Sequence, residues 1–183
     1  MADSTTARHV SLLRGINVGG NNKIPMARLR EVYESVGCSD VATYLQSGNV
    51  VFRRTAPTNV CAEVAAVLKR DVGLDIAILD RTHDELVRIM ADDPFPTADP
   101  SKRVVVFLSD ALTAAQVAEL STIATGRESL TARSRELHLH CPDGLGRSKL
   151  AVAVGKKQLG VVATARNWRT VSALVALSAE GLT

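Results

Sequence analysis

The order in which strands and helices are predicted restricts the fold of this chain more than any other feature. Short apolar runs bounded by glycines and polar residues indicate strands, and apolar residues spaced three or four apart indicate helices. In the first half these patterns predict a β-α-β-β-α-β unit, and the same order returns after the segment 92–100, which contains three prolines. The predicted strands span 9–13, 42–45, 49–52 and 76–79, and then 104–108, 130–132, 137–139 and 161–164.

A unit of this order usually closes as a ferredoxin-like plait, in which helices cover one face of a four-stranded antiparallel sheet. We therefore predict an α+β protein made of two consecutive ferredoxin-like plaits, each with an antiparallel sheet and helices. The first subdomain is expected to span residues 1–93 and to carry a glycine-rich loop. The second is expected to span residues 94–183 and to carry basic helix starts and a C-terminal helix, with the proline-containing segment as the crossing between them.

Composition excludes several classes of protein. Apolar residues make up 46% of the chain, which excludes disorder, and aromatic residues make up only 3%, which argues against a surface built for stacking single-stranded bases. The three cysteines are scattered and indicate reduced, buried thiols rather than a disulfide framework. No apolar run approaches the ~18 residues of a membrane span, and the N-terminal residues lack a signal-peptide pattern. We expect a cytoplasmic protein that does not contact a membrane.

Positive charge is concentrated in the second half of the chain. The net charge is +3, yet residues 127–169 alone carry nine basic against three acidic side chains. Such asymmetry suggests an anionic partner. A basic surface that is simply solvated is the alternative.

The topology brings two loops together at one end of the first predicted sheet, because the first and second strands of a plait run in the same direction. Gly15 and Gly20 have the spacing of a phosphate-binding P-loop, but Asn21 replaces its lysine, so the motif is absent. A glycine-rich turn can still present N–H groups to an anion, and a tight turn that needs positive φ is the alternative. The candidate ligand-binding residues here are Arg14, Asn17, Gly19, Gly20, Asn21, Lys23, Gln46, Ser47 and Asn49.

A second set of loops shares one end of the second predicted sheet, after its third and fourth strands. Cations lie at the start of two helices there, where the helix dipole disfavours them. An acidic ligand that binds both the helix N–H groups and these side chains would offset this cost, whereas cations extending into solvent are the alternative. We expect these loops to form one solvent-accessible concavity, with Asn167 capping the last helix. The candidate residues are Arg147, Ser148, Lys149, Arg166, Asn167 and Trp168.

No metal-binding or catalytic residue is assigned, and no cofactor is expected. His138 and His140 lie two apart on a strand beside Cys141, but no third ligand is evident. Ser148 lacks an orienting acid for a Ser/His pair. Trp168 is predicted to be a packing anchor, with base stacking as the alternative.

Four blocks of sequence resemble the signature of a bacterial family catalogued as domain of unknown function 1697. The blocks are residues 12–20 (LLRGINVGG), 46–50 (QSGNV), 142–150 (PDGLGRSKL) and 163–168 (ATARNW). The resemblance runs essentially from end to end. It implies a pair of ferredoxin-like α/β subdomains and no established activity.

We interpret the chain as a non-enzymatic protein that binds an anionic ligand, a nucleotide or nucleic-acid phosphate rather than a free anion, through the loop and helix-start clusters. One alternative is an enzyme acting on a phosphorylated small molecule, with Lys23 or Lys149 stabilising charge. Another is a structural or partner-binding pair of plaits without a ligand. Strong salt dependence of binding would favour nucleic acid, and an acid/base pair near the loops would favour the enzyme. The oligomeric state is not indicated by the sequence.

Overall fold

The computed structural model describes residues 8–54, 59–156 and 159–179 of the chain. These residues form two units, and each contains one four-stranded antiparallel sheet with helices, which confirms the predicted α+β fold. The first unit groups the described residues up to Val87 with 174–179, and the second comprises residues 88–173.

The elements of the first half of the chain are β1 (Arg8–Leu13), α1 (Met26–Ser35), β2 (Ser39–Tyr44), β3 (Asn49–Arg53), α2 (Val60–Val67), β4 (Ile78–Thr82) and α3 (His83–Ala91). The first sheet has the strand order β2-β3-β1-β4, with every neighbouring pair antiparallel, which is the order of a ferredoxin-like plait. A π-helical turn at Leu68–Val72 directly follows α2.

The helices of the first unit form where the sequence places apolar residues at helical spacing. Leu29 and Tyr33 of α1 are buried against Phe52 of the sheet, together with Val64 of α2. Helix α1 is followed by Gly37 at φ 84°, a left-handed conformation that glycine adopts without steric cost. A capping box opens α3, since Thr82 N–H donates to Glu85 (2.8 Å) and Glu85 N–H donates to Thr82 Oγ1 (3.1 Å).

The elements of the second half of the chain are β5 (Arg103–Leu108), α4 (Ala114–Ser121), β6 (Ser129–Arg133), β7 (Glu136–His140), α5 (Lys149–Lys156), β8 (Ala163–Asn167) and α6 (Trp168–Ala179). The second sheet repeats the first with the order β6-β7-β5-β8, again antiparallel throughout. Its helix-facing core joins Val106 and Leu137 of the sheet to Leu120 of α4 and Leu150 of α5. Within the described residues, none of the helices has the length and apolar character needed to cross a membrane.

The last predicted strand is displaced. It was expected at 161–164, but β8 runs from Ala163 to Asn167 and pairs with β5 from Leu108 back to Val104. The residues of β8 are small or polar, so the apolar pattern does not mark it, and hydrogen bonding to the central strand β5 sets its extent. As a consequence Arg166 lies inside a strand and not in a loop before the last helix.

Candidate functional site

The glycine-rich loop and the β2–β3 turn lie side by side at one end of the first sheet, as the topology predicted. Leu13 N–H donates to Gly48 O (2.8 Å), and Asn17 Nδ2 donates to Gln46 O (2.9 Å). Gly48 is buried between these segments, and a Cβ on it would lie 2.7–2.8 Å from Ile16 and Leu13 side-chain atoms. Only glycine therefore allows the two loops to approach this closely.

Asn17 organises the glycine-rich loop from inside. Its φ is 53°, a region that Asn tolerates better than most residues. Its Oδ1 accepts from Ile24 N–H (2.9 Å), and its Nδ2 donates to Ile24 O (3.1 Å) as well as to Gln46 O. The side-chain amide is therefore committed to the fold, so the predicted role of Asn17 as a ligand contact is not supported by its geometry.

Gly19 and Gly20 form the tip of this loop. Their φ values are 58° and 82°, and Asn21 N–H donates to Val18 O (3.0 Å), which is the pattern of a two-residue turn of type I′. Both glycines therefore have the positive φ that a tight turn needs. The tip is exposed, as are the side chains of Arg14, Asn21, Lys23, Gln46 and Ser47.

Asn49 does not reach solvent, which corrects its placement among the ligand-binding residues. Its side chain is fully buried, and its Nδ2 donates to Tyr44 O (2.8 Å) and Ser47 Oγ (3.1 Å). Asn49 thus closes the β2–β3 turn. A buried amide with internal partners stabilises the turn and has no group left to offer a ligand.

The loops after β7 and β8 begin at the same end of the second sheet. Arg103 pairs with His140 and Val104 with Asn167, so both loops leave from beside the start of β5. Cys141 N–H donates to Lys102 O (2.8 Å), and Lys102 Nζ lies 3.6 Å from where a Cβ on Gly144 would stand. Residues before β5, after β7 and after β8 therefore share one end of the sheet.

Ser148 is buried and caps α5. Only 3% of Ser148 is exposed, and its Oγ accepts from Ala151 N–H (2.9 Å) and lies 3.2 Å from Cys141 Sγ, which donates to it. The expectation that Ser148 lines an accessible concavity is wrong, because its hydroxyl is used at the helix start.

Glu128 provides an acidic group at the same helix start, and the sequence reasoning missed it. Burial acts to raise the pKa of Glu128, but hydrogen bonds from the Ser148 hydroxyl and from the N–H groups of Thr125 and Leu150 outweigh it and lower that pKa. An internal anion thus already offsets part of the cost of basic residues beside this helix. The capping pattern Thr-x-x-Glu at Thr125 and Glu128 was the available signal.

Arg166 is also buried, contrary to the expected exposed concavity. Its Nη1 donates to Thr164 Oγ1 (2.8 Å) and to Ala165 O (2.8 Å), and burial lowers the pKa of Arg166 to about 10. Alternation along β8 turns this residue to a buried face, with 7% of it exposed. Asn167, by contrast, is exposed and accepts from Thr170 N–H (2.8 Å), which confirms it as the cap of α6.

Trp168 is a packing anchor. Only 7% of it is exposed, and the Arg103 guanidinium lies 4.4 Å from its ring centroid. Arg103 in turn forms an ion pair with Asp93 and donates to Phe95 O (3.0 Å). The indole face is therefore occupied, which removes the alternative of base stacking.

Four basic residues remain available at this end of the second sheet: Lys102, Arg147, Lys149 and Arg169. We call them the basic end. Lys102 is half-buried and the other three are exposed. Within the described parts of the chain none of them forms an ion pair, and the nearby Asp143 pairs instead with Arg127 (3.4 Å). Hydrogen bonds from Ser101 lower the pKa of Asp99, and the charges of Arg169 and Lys102 lower it further.

The described residues contain no group of three or more His, Cys, Asp or Glu side chains arranged to hold a metal ion. Burial lowers the pKa of His138, and the ring of His140 lies 5.5 Å from that of Phe95. Burial raises the pKa of Cys38 to about 11 and of Cys61 to about 12, so neither thiol is activated as a nucleophile.

Comparisons with known proteins agree with this architecture. No curated protein matches the chain. The chain is similar to a solved structure of a conserved bacterial protein from Streptococcus pneumoniae, with a TM-score of 0.76 and 20% sequence identity over 94% of this chain and 99% of that one. At this identity the likeness shows the fold alone. A family model described as "Protein of unknown function (DUF1697)" matches residues 6–138, and the chain therefore belongs to that family.

Proposed function

We propose that this protein binds an anionic ligand, the phosphates of a nucleotide or nucleic acid, at the basic end of its second unit. The observation that carries the proposal is that cations from three separate segments lie at one end of a sheet and form no ion pair in the described chain, although the Asp99 carboxylate interacts electrostatically with Lys102 and Arg169. Unpaired cations gathered in one region raise the local potential and attract anions.

Regular elements fix the backbone positions of these residues. Lys102 directly precedes β5, and its carbonyl accepts from Cys141 N–H. Arg147 ends a short 3-10 turn (Leu145–Arg147), Lys149 begins α5, and Arg169 is the second residue of α6. The backbone that carries them is therefore ordered before a ligand arrives, so binding has to order only the side chains.

The arrangement favours a ligand with several phosphates over a single free anion. Each exposed ion pair contributes only about 0–1 kcal/mol, so one small anion would gain little from any of these side chains. A polyanion contacts several cations at once and releases the counterions that surround it. Because Glu128 already occupies the start of α5, the side chains and not the helix N–H groups are expected to supply most of the attraction.

The first glycine-rich loop offers a weaker surface of the same kind. Arg14 and Lys23 are exposed beside the Gly19–Gly20 tip, and neither forms an ion pair within the described residues. We include them in the proposal as a second contact region for a polyanion. The exposed polar residues Asn21, Gln46 and Ser47 surround this tip.

The test compares the double variant Arg147→Ala/Lys149→Ala with wild type, using a labelled single-stranded oligonucleotide and ADP as probes in fluorescence anisotropy titrations. We expect binding to be lost, or weakened at least about tenfold, and the salt slope for the oligonucleotide to fall by about 1.4. Both side chains are exposed, so unfolding free energy should stay within about ±0.5 kcal/mol per substitution.

The matched control is Lys69→Ala/Arg70→Ala, which removes the same charge from the first unit, where both cations are paired with aspartates. Affinity should be unchanged in this control. An equal loss in both variants would mean that net charge alone drives binding. Unchanged affinity in Arg147→Ala/Lys149→Ala, or no binding of either probe to wild type at low salt, would refute the proposal.

A further inference from the structure

A pocket of about 400 Å³ lies at the other end of the first sheet, away from the glycine-rich loop. Arg8 opens β1 and pairs with Arg53 at the end of β3, while the neighbouring His9 pairs with Thr82 at the end of β4. Three strand ends therefore frame one side. The pocket is lined by Arg8, Arg53, Thr82, His83, Asp84 and Ser178, all of the first unit.

Arg8 is the unusual residue of this pocket. Only 7% of it is exposed, its Nη1 donates to Leu177 O (3.3 Å), and its Nη2 is buried without a hydrogen-bond partner in the described part of the chain. No carboxylate of the described residues lies within ion-pair distance of it. Removing a partner from a buried charged group is costly, so a guanidinium in this state gains from any anion that reaches it.

The other polar groups of the pocket are arranged around Arg8. Arg53 Nε lies 2.9 Å from Asp40 Oδ2, so this second guanidinium already forms an ion pair with a carboxylate. His83, the first residue of α3, places its Nδ1 2.8 Å from Ser178 Oγ. Because Ser178 Oγ donates to Leu174 O (2.7 Å), its only proton is used, and the hydrogen-bond network assigns the shared proton to His83 Nδ1.

The hydrogen bonds of His83 and Ser178 argue against nucleophilic catalysis in this pocket and leave anion binding as its use. Ser178 is not activated by His83, because the imidazole donates to the hydroxyl and does not accept from it. The start of α3 contributes little positive potential, because the Glu85 carboxylate caps it and Asp84 lies in its first turn, so the arginines carry the attraction for an anion. The buried Arg8 Nη2 is an observation independent of that helix.

We propose that this pocket binds a small oxyanion, a carboxylate or a phosphate group, with the Arg8 guanidinium as its principal donor. Arginine binds both groups through two parallel hydrogen bonds. The lining contains two arginines and one aspartate, Asp84, and so carries less positive charge than the four cations of the basic end. The proposal stands apart from the proposed function, because it involves none of the same residues.

The test is a titration of ¹⁵N-labelled full-length protein with inorganic phosphate, and separately with acetate, against chloride at constant ionic strength. We expect saturable shifts of the His83 and Asp84 amide signals with at least one of the two anions, and the anion that saturates identifies the class of ligand. The variant Arg8→Gln should weaken that binding at least about tenfold, since it removes a charge-assisted pair of hydrogen bonds. Lys69→Ala removes an exposed cation elsewhere in the same unit and should leave it unchanged.

Because Arg8 is buried, the folding of Arg8→Gln is checked first. If that variant does not fold, the same anion titration of Arg53→Gln tests the proposal instead. Its side chain is 32% exposed, and it should retain the fold while weakening anion binding several-fold. Shifts that grow linearly without saturation, or that occur only at the basic end, overturn the proposal. Unchanged affinity for the anion in a folded Arg8→Gln variant also overturns the proposal. If that variant does not fold, unchanged affinity in Arg53→Gln overturns it.

Discussion

Asn17 pairs its side-chain amide with the main chain of Ile24, accepting from the N–H at 2.9 Å and donating to the C=O at 3.1 Å. These two hydrogen bonds close the glycine-rich loop, as the two hydrogen bonds between a pair of residues in an antiparallel sheet would. The same Nδ2 also reaches Gln46 O at 2.9 Å. One side chain thus joins the loop after β1 to the turn between β2 and β3, which explains why two of the recognisable sequence blocks lie together in space.

Asn17→Ala should therefore destabilise the protein by about 2–4 kcal/mol, from three lost hydrogen bonds of about 1 kcal/mol each and the cost of alanine at positive φ. Asn17→Gly should cost about 1 kcal/mol less than Asn17→Ala, because glycine accepts the φ of 53° without strain. Urea denaturation measures both. If Asn17→Ala lies within about 0.5 kcal/mol of wild type, Asn17 does not hold these loops together.

Gly48 and Gly19 allow steric crowding to be separated from backbone strain. Both have positive φ, but a Cβ on Gly48 would lie 2.7 Å from Ile16 Cδ1, whereas a Cβ on Gly19 would meet nothing within 4 Å. Gly19→Ala should cost about 1–2 kcal/mol for the left-handed conformation, and Gly48→Ala should cost about 1–3 kcal/mol more for overpacking. Equal losses of unfolding free energy would show that the loops can move apart without cost.

His9 should make stability depend on pH. Its hydrogen bond with Asp80 (2.9 Å) raises the pKa of His9 above its usual value, against the opposing effect of burial. Since the folded-state pKa is raised, this contribution is fully present below about pH 6.5 and is lost as the pH rises through the folded pKa. Both side chains are about a third exposed, so it should amount to less than about 1 kcal/mol.

The measurement is the difference in unfolding free energy between wild type and His9→Gln at several values between pH 5 and 8.5. The difference should be largest at the acidic end and shrink as the pH rises. Burial lowers the pKa of His138, whose contribution is present above its unfolded pKa and is lost as the pH falls. Because His138 is common to both proteins, it cancels in the difference. A difference that grows with pH would contradict the assigned direction.

Glu128 should compete with external anions at the basic end. Since hydrogen bonds lower its pKa in the folded state, its contribution to stability is present above its unfolded pKa and is lost as the pH falls through the folded value. Glu128→Gln should therefore lower unfolding free energy at pH 7 and should tighten oligonucleotide binding by about two- to fivefold.

Glu31→Gln is the matched control for this prediction, because Glu31 is exposed, belongs to the first unit and pairs with Arg28 at 2.9 Å. It removes the same charge and should not change affinity. Tighter binding in the control alone, or weaker binding in Glu128→Gln, would show that Glu128 does not oppose a ligand at this site.

Local patterns were sufficient for most of the fold. The sequence patterns Thr-x-x-Glu at Thr82–Glu85 and Thr-x-x-Gln at Thr113–Gln116 form capping boxes in the structure, and α1 buries an apolar face of helical spacing. The displaced strand β8 shows the limit, because its residues carry no apolar alternation and its hydrogen bonds to β5 define it. Positive φ at Gly19 or Gly20 was also predictable, because the chain must turn from β1 into the helix that follows Pro25 within a few residues.

The candidate site was predictable only in outline. Topology correctly brought the loops together at the sheet ends, but Asn49, Ser148, Arg166 and Trp168 are buried and make internal contacts. Residue type does not distinguish an arginine that binds ligand from one that donates to its own strand. Only the positions of surrounding atoms do, and these come from segments remote in the chain.

By itself the sequence determined the two antiparallel plaits, because apolar periodicity, caps and glycines act through neighbours within a few residues. The tertiary structure alone decided which polar groups face solvent and which face each other. Glu128 reaches the start of α5 across a hairpin, and Arg8 donates to Leu177, 169 residues away. Such contacts have no local signal, since burial and electrostatic partnership depend on distance in space and not on spacing along the chain.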